Sequence, residues 1–380
     1  MPQPELPIIT SVTDLKGKYV LVRLSLNVPI HNGSVSDEFR IHQSLPTVTY
    51  LQNKGARIIL CSHLGKDGEA SMRPVYEVLE KYFPLTLSPE VCGAETKKLR
   101  DQLQDGEVLL LENVRKDARE MSNDAAFGAE LASLADIFVN EDFAASHRAH
   151  ASLAAVCAHL PSYVGINFAH EFEELSKVMR PQSPSLFILG GAKFDTKMPL
   201  VEKYISIYDR IFIGGALAND FFKGKGLHVG TSLVSNIDLS GSPLLQDPKI
   251  ILPVDVLVFD GAISRITTPD DVRDTESILD VGPVSVAHLD IEMQKAATVL
   301  WNGPLGNYEN GYTDATIECA RLLATSKAFS VVGGGATVAS IEELDNQDAY
   351  GFLSTAGGAM LTFLELGSLP ALDALLSSSR

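Results

Sequence analysis

The sequence predicts an α/β protein built as two doubly wound lobes with mostly parallel sheets, joined by a helical hinge. Three observations carry that expectation. Short β-branched or aliphatic runs end in glycine or a small polar residue and lead into segments of helical period. The alternation repeats from Lys18 onward, which favours parallel strands covered on both faces with ligands bound beyond their carboxyl ends. It is interrupted once by Arg180-Pro181-Gln182-Ser183-Pro184-Ser185, in a chain of 380 residues that is long enough for two cores.

In chain order, the candidate strands of the first half are residues 19–23, 57–61, 108–111 and 137–139. Those of the second half are 186–189, 210–213, 250–252, 298–300 and 329–332. Between the halves, Phe172, Leu175 and Met179 recur at helical spacing on one face, as a helix linking two lobes would show. The expected division is a first lobe over 1–168, a hinge helix and linker over 169–183 and a second lobe over 184–362, with the tail 363–380 packing back on the first lobe. No repeat of solenoid length is present.

Composition narrows the function classes. Hydrophobic residues at 45% and charged residues at 21% fit a folded globular protein. A formal net charge of −17 disfavours nucleic acid or an anionic membrane as partner. Met1-Pro2-Gln3-Pro4-Glu5 has neither a basic start nor an apolar core, so no signal peptide is expected and the cytoplasm is the default location. Cys61, Cys92, Cys157 and Cys319 are scattered and the histidines are not clustered in ligand spacing, so neither a disulfide framework nor a protein-built metal site is expected.

Chemistry-bearing residues gather just after the strands. In the first half these are the segment Arg23 to Pro29, Arg40 beyond the turn at Asn32-Gly33, Ser62-His63-Leu64-Gly65-Lys66, Asn113-Val114-Arg115 and Ser146-His147-Arg148-Ala149-His150. In a parallel sheet Arg40, His63, Arg115 and Arg148 converge on one rim, where guanidinium forks suit phosphate or carboxylate. Any one of them alone is more simply a surface or locally bonded residue. In the second half, strands run into glycine turns at Gly190-Gly191-Ala192-Lys193, at Gly214-Gly215-Ala216, at Asn302-Gly303-Pro304 and at Gly333-Gly334-Gly335-Ala336-Thr337. Glycine lets backbone approach a phosphate, and a following helix N-terminus favours an anion. Lys193 and Lys197, spaced to share one helical face, would repel each other less with a polyphosphate between them, and a solvated lysine pair is an equally simple account. Glu309 suits ribose hydroxyls. The last glycine cluster lacks the third glycine of a dinucleotide fingerprint and lies near the chain's end, which disfavours a dehydrogenase.

Taken together and in this order, Ser146-His147-Arg148-Ala149-His150-Ala151-Ser152, Trp301-Asn302-Gly303-Pro304 with Gly306, Gly190-Gly191-Ala192-Lys193 with Lys197, and Ser62-His63-Leu64-Gly65 make the chain resemble the phosphoglycerate kinases over nearly its whole length. The resemblance implies phosphoryl transfer between ATP and 3-phosphoglycerate by a monomer whose lobes close about the hinge. Ser25, Asn27, Arg40, His63, Lys66, Arg115 and Arg148 would bind phosphoglycerate. Lys197, Asn302, Glu309, Gly334, Gly335, Ala336 and Thr337 would bind the nucleotide. Arg40, Lys193 and Lys197 would neutralise the transferring group. ATP or ADP would arrive with Mg2+ held mainly by phosphates and water.

Against the family's usual pattern, Ser25 stands where an aspartate is expected, Lys66 where an arginine is, and Asn140-Glu141-Asp142-Phe143 where N-D-A-F is. Ala336 replaces the aspartate of G-G-G-D-T, removing a carboxylate expected to engage the metal and leaving Asp195 and Asp220 as candidates for that contact. Ser25 and Ala336 raise the alternative of a catalytically degenerate relative that only binds nucleotide or phosphoglycerate.

Overall fold

A computed structural model describes residues 4–378. The reading of the first residues as lacking a signal peptide rests partly on positions outside that range. The chain forms two compact units, one running through Glu173 and resumed from Leu366, the other Glu174–Glu365.

The first unit is organised on a six-stranded sheet with the order Leu85–Leu87, Val108–Leu110, Arg57–Cys61, Tyr19–Arg23, Ile137–Asn140 and Ser162–Val164. Every pairing in it is parallel. Tyr19–Arg23 is central and buried along nearly all its length, which is why it reads as a continuous aliphatic run. The chain leaves it for Arg57–Cys61 on one side and later returns from Val108–Leu110 to Ile137–Asn140 on the other, so the strand order reverses beside Arg23. The Asn32-Gly33 turn closes a small hairpin, Ile30–His31 with Ser34–Val35, in which both residues take positive φ, 49° and 81°.

The second unit has its own six-stranded parallel sheet, in the order Ile250–Ile251, Arg210–Ile213, Ser185–Leu189, Thr298–Asn302, Phe329–Gly333 and Phe352–Ser354. Its reversal point lies between the ends of Ser185–Leu189 and Thr298–Asn302. Trp301, the chain's only tryptophan, is fully buried in this core and donates its indole N–H to Gly303 O at 2.9 Å. Besides the small hairpin of the first unit, Ser264–Thr267, Val256–Phe259 and Ser277–Val281 depart from the parallel pattern and form a separate antiparallel sheet. Buried and half-buried residues alternate along Val256–Phe259, the pattern of a strand with one covered face.

The helix between the halves spans Ile166–Val178, beginning earlier than its periodicity suggested. Its start is fixed by Glu141, whose carboxylate accepts from Asn167 N and Phe168 N at 3.0 Å each and from Thr47 Oγ1 at 2.5 Å. Burial pushes this carboxyl up to about 7. The division between the two units falls within this helix. From the tail, Ala371 N donates to Ser146 O at 3.1 Å, within the first unit. No single helix among the described residues is long and apolar enough to cross a membrane.

Candidate active site

In the first unit, the loop after Arg57–Cys61 is clamped by Asn113. Its Oδ1 accepts from Leu64 N and Arg115 N, while its Nδ2 donates to Leu64 O and Ala70 O at 2.8 Å. That clamp places His63 and Arg115 together, both buried. A chain of contacts extends the cluster: Arg40 Nη1 donates to Asn27 O at 3.0 Å, Asn27 Oδ1 accepts from Gly65 N at 3.0 Å, and Gly65 O accepts from Arg115 Nη1 at 2.6 Å. Arg115 Nε is buried without a hydrogen-bond partner among the described residues.

The cluster is strongly cationic. Burial, then Arg148 and Arg23, lowers Arg115, and burial, then Arg23, Arg115, Arg148 and His150, holds His63 far below the ordinary histidine range. His150 is lowered to about 4 by burial and by the same arginines. Arg148 itself is exposed, following the short turn Phe143–Ala145, and Lys66 is exposed on the His63 loop. Ser25 is half-buried between the buried Leu24 and Leu26. Three residues that the sequence marked only within segments, without a role, belong to this cluster: Arg23, His147 and His150. In sequence Arg23 ends an aliphatic strand, and nothing local marks its role.

In the second unit, a cavity of about 480 Å3 opens at the reversal point of the sheet. Part of its lining is apolar, including Phe222, Leu233, Val256, Ile278 and Leu305, which suits a flat heterocycle. The rest is glycine and cation: Gly191, Lys193, Lys197, Gly334 and Gly335, with Ala336 beside them. Gly303 and Gly334 take φ of 93° and 105°, and a Cβ on Gly303 would collide with Lys197 Nζ and Gly190 O, so backbone must stay bare where the lysine enters.

Lys193 and Lys197 do not share a helical face as their spacing suggested. The helix is Phe194–Tyr204, Lys193 is the exposed residue capping its start, and Lys197 turns inward to 5% exposure. Lys197 Nζ donates to Gly190 O and, at 3.4 Å, to Asn302 O. It has no carboxylate partner among the described residues. Burial, and then Lys193, pushes it down to about 7.

Asn302 ends its strand against the cavity, and Glu309 lines it from the exposed turn Tyr308–Asn310. Thr337 lies behind the wall, fully buried, with Oγ1 unpartnered. Neither Asp195 nor Asp220 lines the cavity. Asp195 is exposed, and the Asp220 carboxylate is taken by Ser235 N and Oγ at 2.8 Å each. Asp280 does line it, but accepts from Val281 N and Ala315 N, and burial raises it to about 7. Among the described residues no group of three or more His, Cys, Asp or Glu is placed to hold a metal.

Comparison with known proteins identifies the family. The phosphoglycerate kinase family model matches residues 9–366. The phosphoglycerate kinase of Rubrobacter xylanophilus is 39% identical over 378 residues, covering 95% of this chain and 96% of its own. That of Bradyrhizobium diazoefficiens is 39% identical over 385 residues, with 95% and 96% covered. The solved structure of the phosphoglycerate kinase from Coxiella burnetii superposes with a TM-score of 0.86 at 34% identity, over 99% of this chain and 100% of that one. Spanning both units and both sites, these matches establish that the chain belongs to the phosphoglycerate kinase family.

Proposed function

We propose that the chain is an active phosphoglycerate kinase, with MgATP in the cavity of the second unit and 3-phosphoglycerate on the cationic cluster of the first. The observation that carries the reading is Lys197, a buried lysine in a glycine-walled cavity without a counter-anion. Such a group is costly to keep charged unless an anion arrives, and a polyphosphate supplies one.

In the reaction, a carboxylate oxygen of 3-phosphoglycerate forms a bond to the γ-phosphorus as the bond from that phosphorus to the β,γ-bridging oxygen breaks, leaving ADP and an acyl phosphate. The attacking carboxylate is already ionised near neutral pH, so no general base is needed. The protein's task is positioning and neutralising charge on the equatorial oxygens. Arg40, Lys193 and Lys197 are assigned to that charge. Asn27, His63, Arg115 and Arg148, with Ser25 and Lys66 at the margin, hold the phosphoglycerate. Asn302, Glu309, Gly334, Gly335, Ala336 and Thr337 are assigned to the nucleotide. Phosphate entering beside Lys197 raises its proton affinity, so the ammonium is charged when it is used.

Magnesium enters as part of the nucleotide substrate, held by phosphates and water. Hinge closure is the motion this reading requires, because its two ligands are assigned to different units. It carries with it a monomer at work in the cytoplasm. The binding-only alternative is not favoured, since both anion-receptive sites retain their cations.

Arg148→Ala should raise the KM for 3-phosphoglycerate by about tenfold, the loss expected for one charge-assisted contact, and leave the KM for MgATP within about twofold. Equal losses for both ligands would contradict the assignment of ligands to units.

A further inference from the structure

Arg23 is fully buried, and each of its three guanidinium nitrogens has a hydrogen-bond partner. Nε donates to Ser152 Oγ at 2.9 Å, and Nη1 donates to Leu24 O at 2.7 Å and to Asp142 Oδ2 at 2.9 Å. Nη2 lies 2.8 Å from His63 Nδ1. A guanidinium has donors only, so the histidine nitrogen must accept, and a neutral imidazole that accepts at Nδ1 carries its hydrogen on Nε2. This is the ring's one hydrogen bond among the described residues. Asp142 anchors the other side: its Oδ1 accepts from Ala145 N at 3.0 Å, at the start of the turn that leads to His147 and Arg148. Glu120 holds Ser152 in turn, accepting from its Oγ at 2.6 Å.

We propose that Arg23 is a positioning residue, which touches no substrate and acts by locking His63 as the neutral tautomer with its hydrogen on Nε2, a donor for an anionic oxygen of the substrate. The tautomer lock stands on the hydrogen bonding alone, whereas the use of Nε2–H toward 3-phosphoglycerate rests on the function proposed above. The surroundings agree. The charged groups that act most on the ring are Arg23, Arg115, Arg148 and His150, which with burial keep it unprotonated, while the acids of the cluster, Asp142 and Glu120, are turned to Arg23 and Ser152. A free imidazole would divide its hydrogen between the two nitrogens. Molecules with the hydrogen on Nδ1 would present an acceptor at Nε2 to an anion, which repels it.

The test is long-range proton–nitrogen NMR on the full chain labelled with 15N-histidine, the His63 signals being assigned by their loss in His63→Gln. In the unsubstituted protein Nδ1 should be bare and Nε2 protonated, unchanged from about pH 5 to about pH 9. A protonated Nδ1, or titration within that range, would overturn the proposal without any variant being made. Arg23→Lys retains charge and loses the fork. It should bring tautomer exchange at His63 and raise the KM for 3-phosphoglycerate about tenfold or more with the KM for MgATP unchanged. Because Arg23→Met strands a buried carboxylate, it is made together with Asp142→Asn, and its His63 ring should titrate. A His63 ring unchanged in both variants would refute the lock. Adding 3-phosphoglycerate to the unsubstituted protein should shift Nε2. A correct tautomer with no such shift would refute the substrate role and leave the lock standing.

Discussion

Replacing Lys197 with methionine should abolish turnover and make the second unit more stable. The magnitude follows from what surrounds the ammonium. Burial and Lys193 bring it from an ordinary 10.5 down to about 7, and at about 1.4 kcal/mol per pH unit that difference corresponds to about 5 kcal/mol of penalty on the charged form. Methionine removes the penalty and keeps most of the packing. It also leaves Gly190 O without its donor, a loss of about 1–3 kcal/mol, whereas Asn302 O still accepts from Gly190 N at 3.0 Å. The net gain is about 2–4 kcal/mol.

Its pH dependence has a definite sign. Between about 7 and 10.5 the native state binds fewer protons at this site than the unfolded chain, so the penalty is complete below about pH 7 and fades as pH rises toward 10.5. Urea unfolding followed by Trp301 fluorescence reports this unit, since no other tryptophan exists. The variant should gain most near pH 6 and lose most of that advantage near pH 9.5. A variant that is less stable near pH 6, or a difference that does not change with pH, would refute the account of Lys197 as an uncompensated buried charge.

Other substitutions test neighbouring parts of the same cavity. Ala336→Asp introduces a carboxylate at the lining position where the family resemblance expects one. It should lower the magnesium concentration needed for half-maximal rate and raise kcat by on the order of tenfold or more, while no change in either would mean that phosphates and water suffice as ligands. Trp301→Phe removes the indole bond to Gly303 O from a fully buried site. A loss of about 1–3 kcal/mol in urea unfolding followed by circular dichroism, with a raised KM for MgATP, is expected, and an unchanged KM would show that the Gly303 carbonyl does not depend on that bond.

What the sequence made legible follows from how local each signal is. Central strands such as Arg57–Cys61 and Phe329–Gly333 announce themselves because both faces are covered, and every residue after the first is buried and apolar or small. The outer strands Leu85–Leu87, Ser162–Val164 and Phe352–Ser354 have three residues each and are partly exposed, too short for periodicity to emerge. The early start of Ile166–Val178 depends on Glu141, some 26 residues upstream, so no local cap could disclose it. The glycine turns and Lys197 were visible as a pattern, but the inward turn of Lys197 and the outward position of Lys193 depend on where the helix Phe194–Tyr204 begins. Arg23 was given no role for a related reason. Its partners His63 and Asp142 lie 40 and 119 residues away, and in sequence it only ends an aliphatic run.

The central claim is that this chain transfers a phosphoryl group between ATP and 3-phosphoglycerate, and the most direct measurement is 31P NMR of the purified protein with MgATP and 3-phosphoglycerate. An acyl-phosphate resonance should grow with the ADP signals, dependent on both substrates, and be absent with Lys197→Met. ATP bound without any acyl phosphate, at protein concentrations where a hundredfold-impaired enzyme would still turn over, would contradict it.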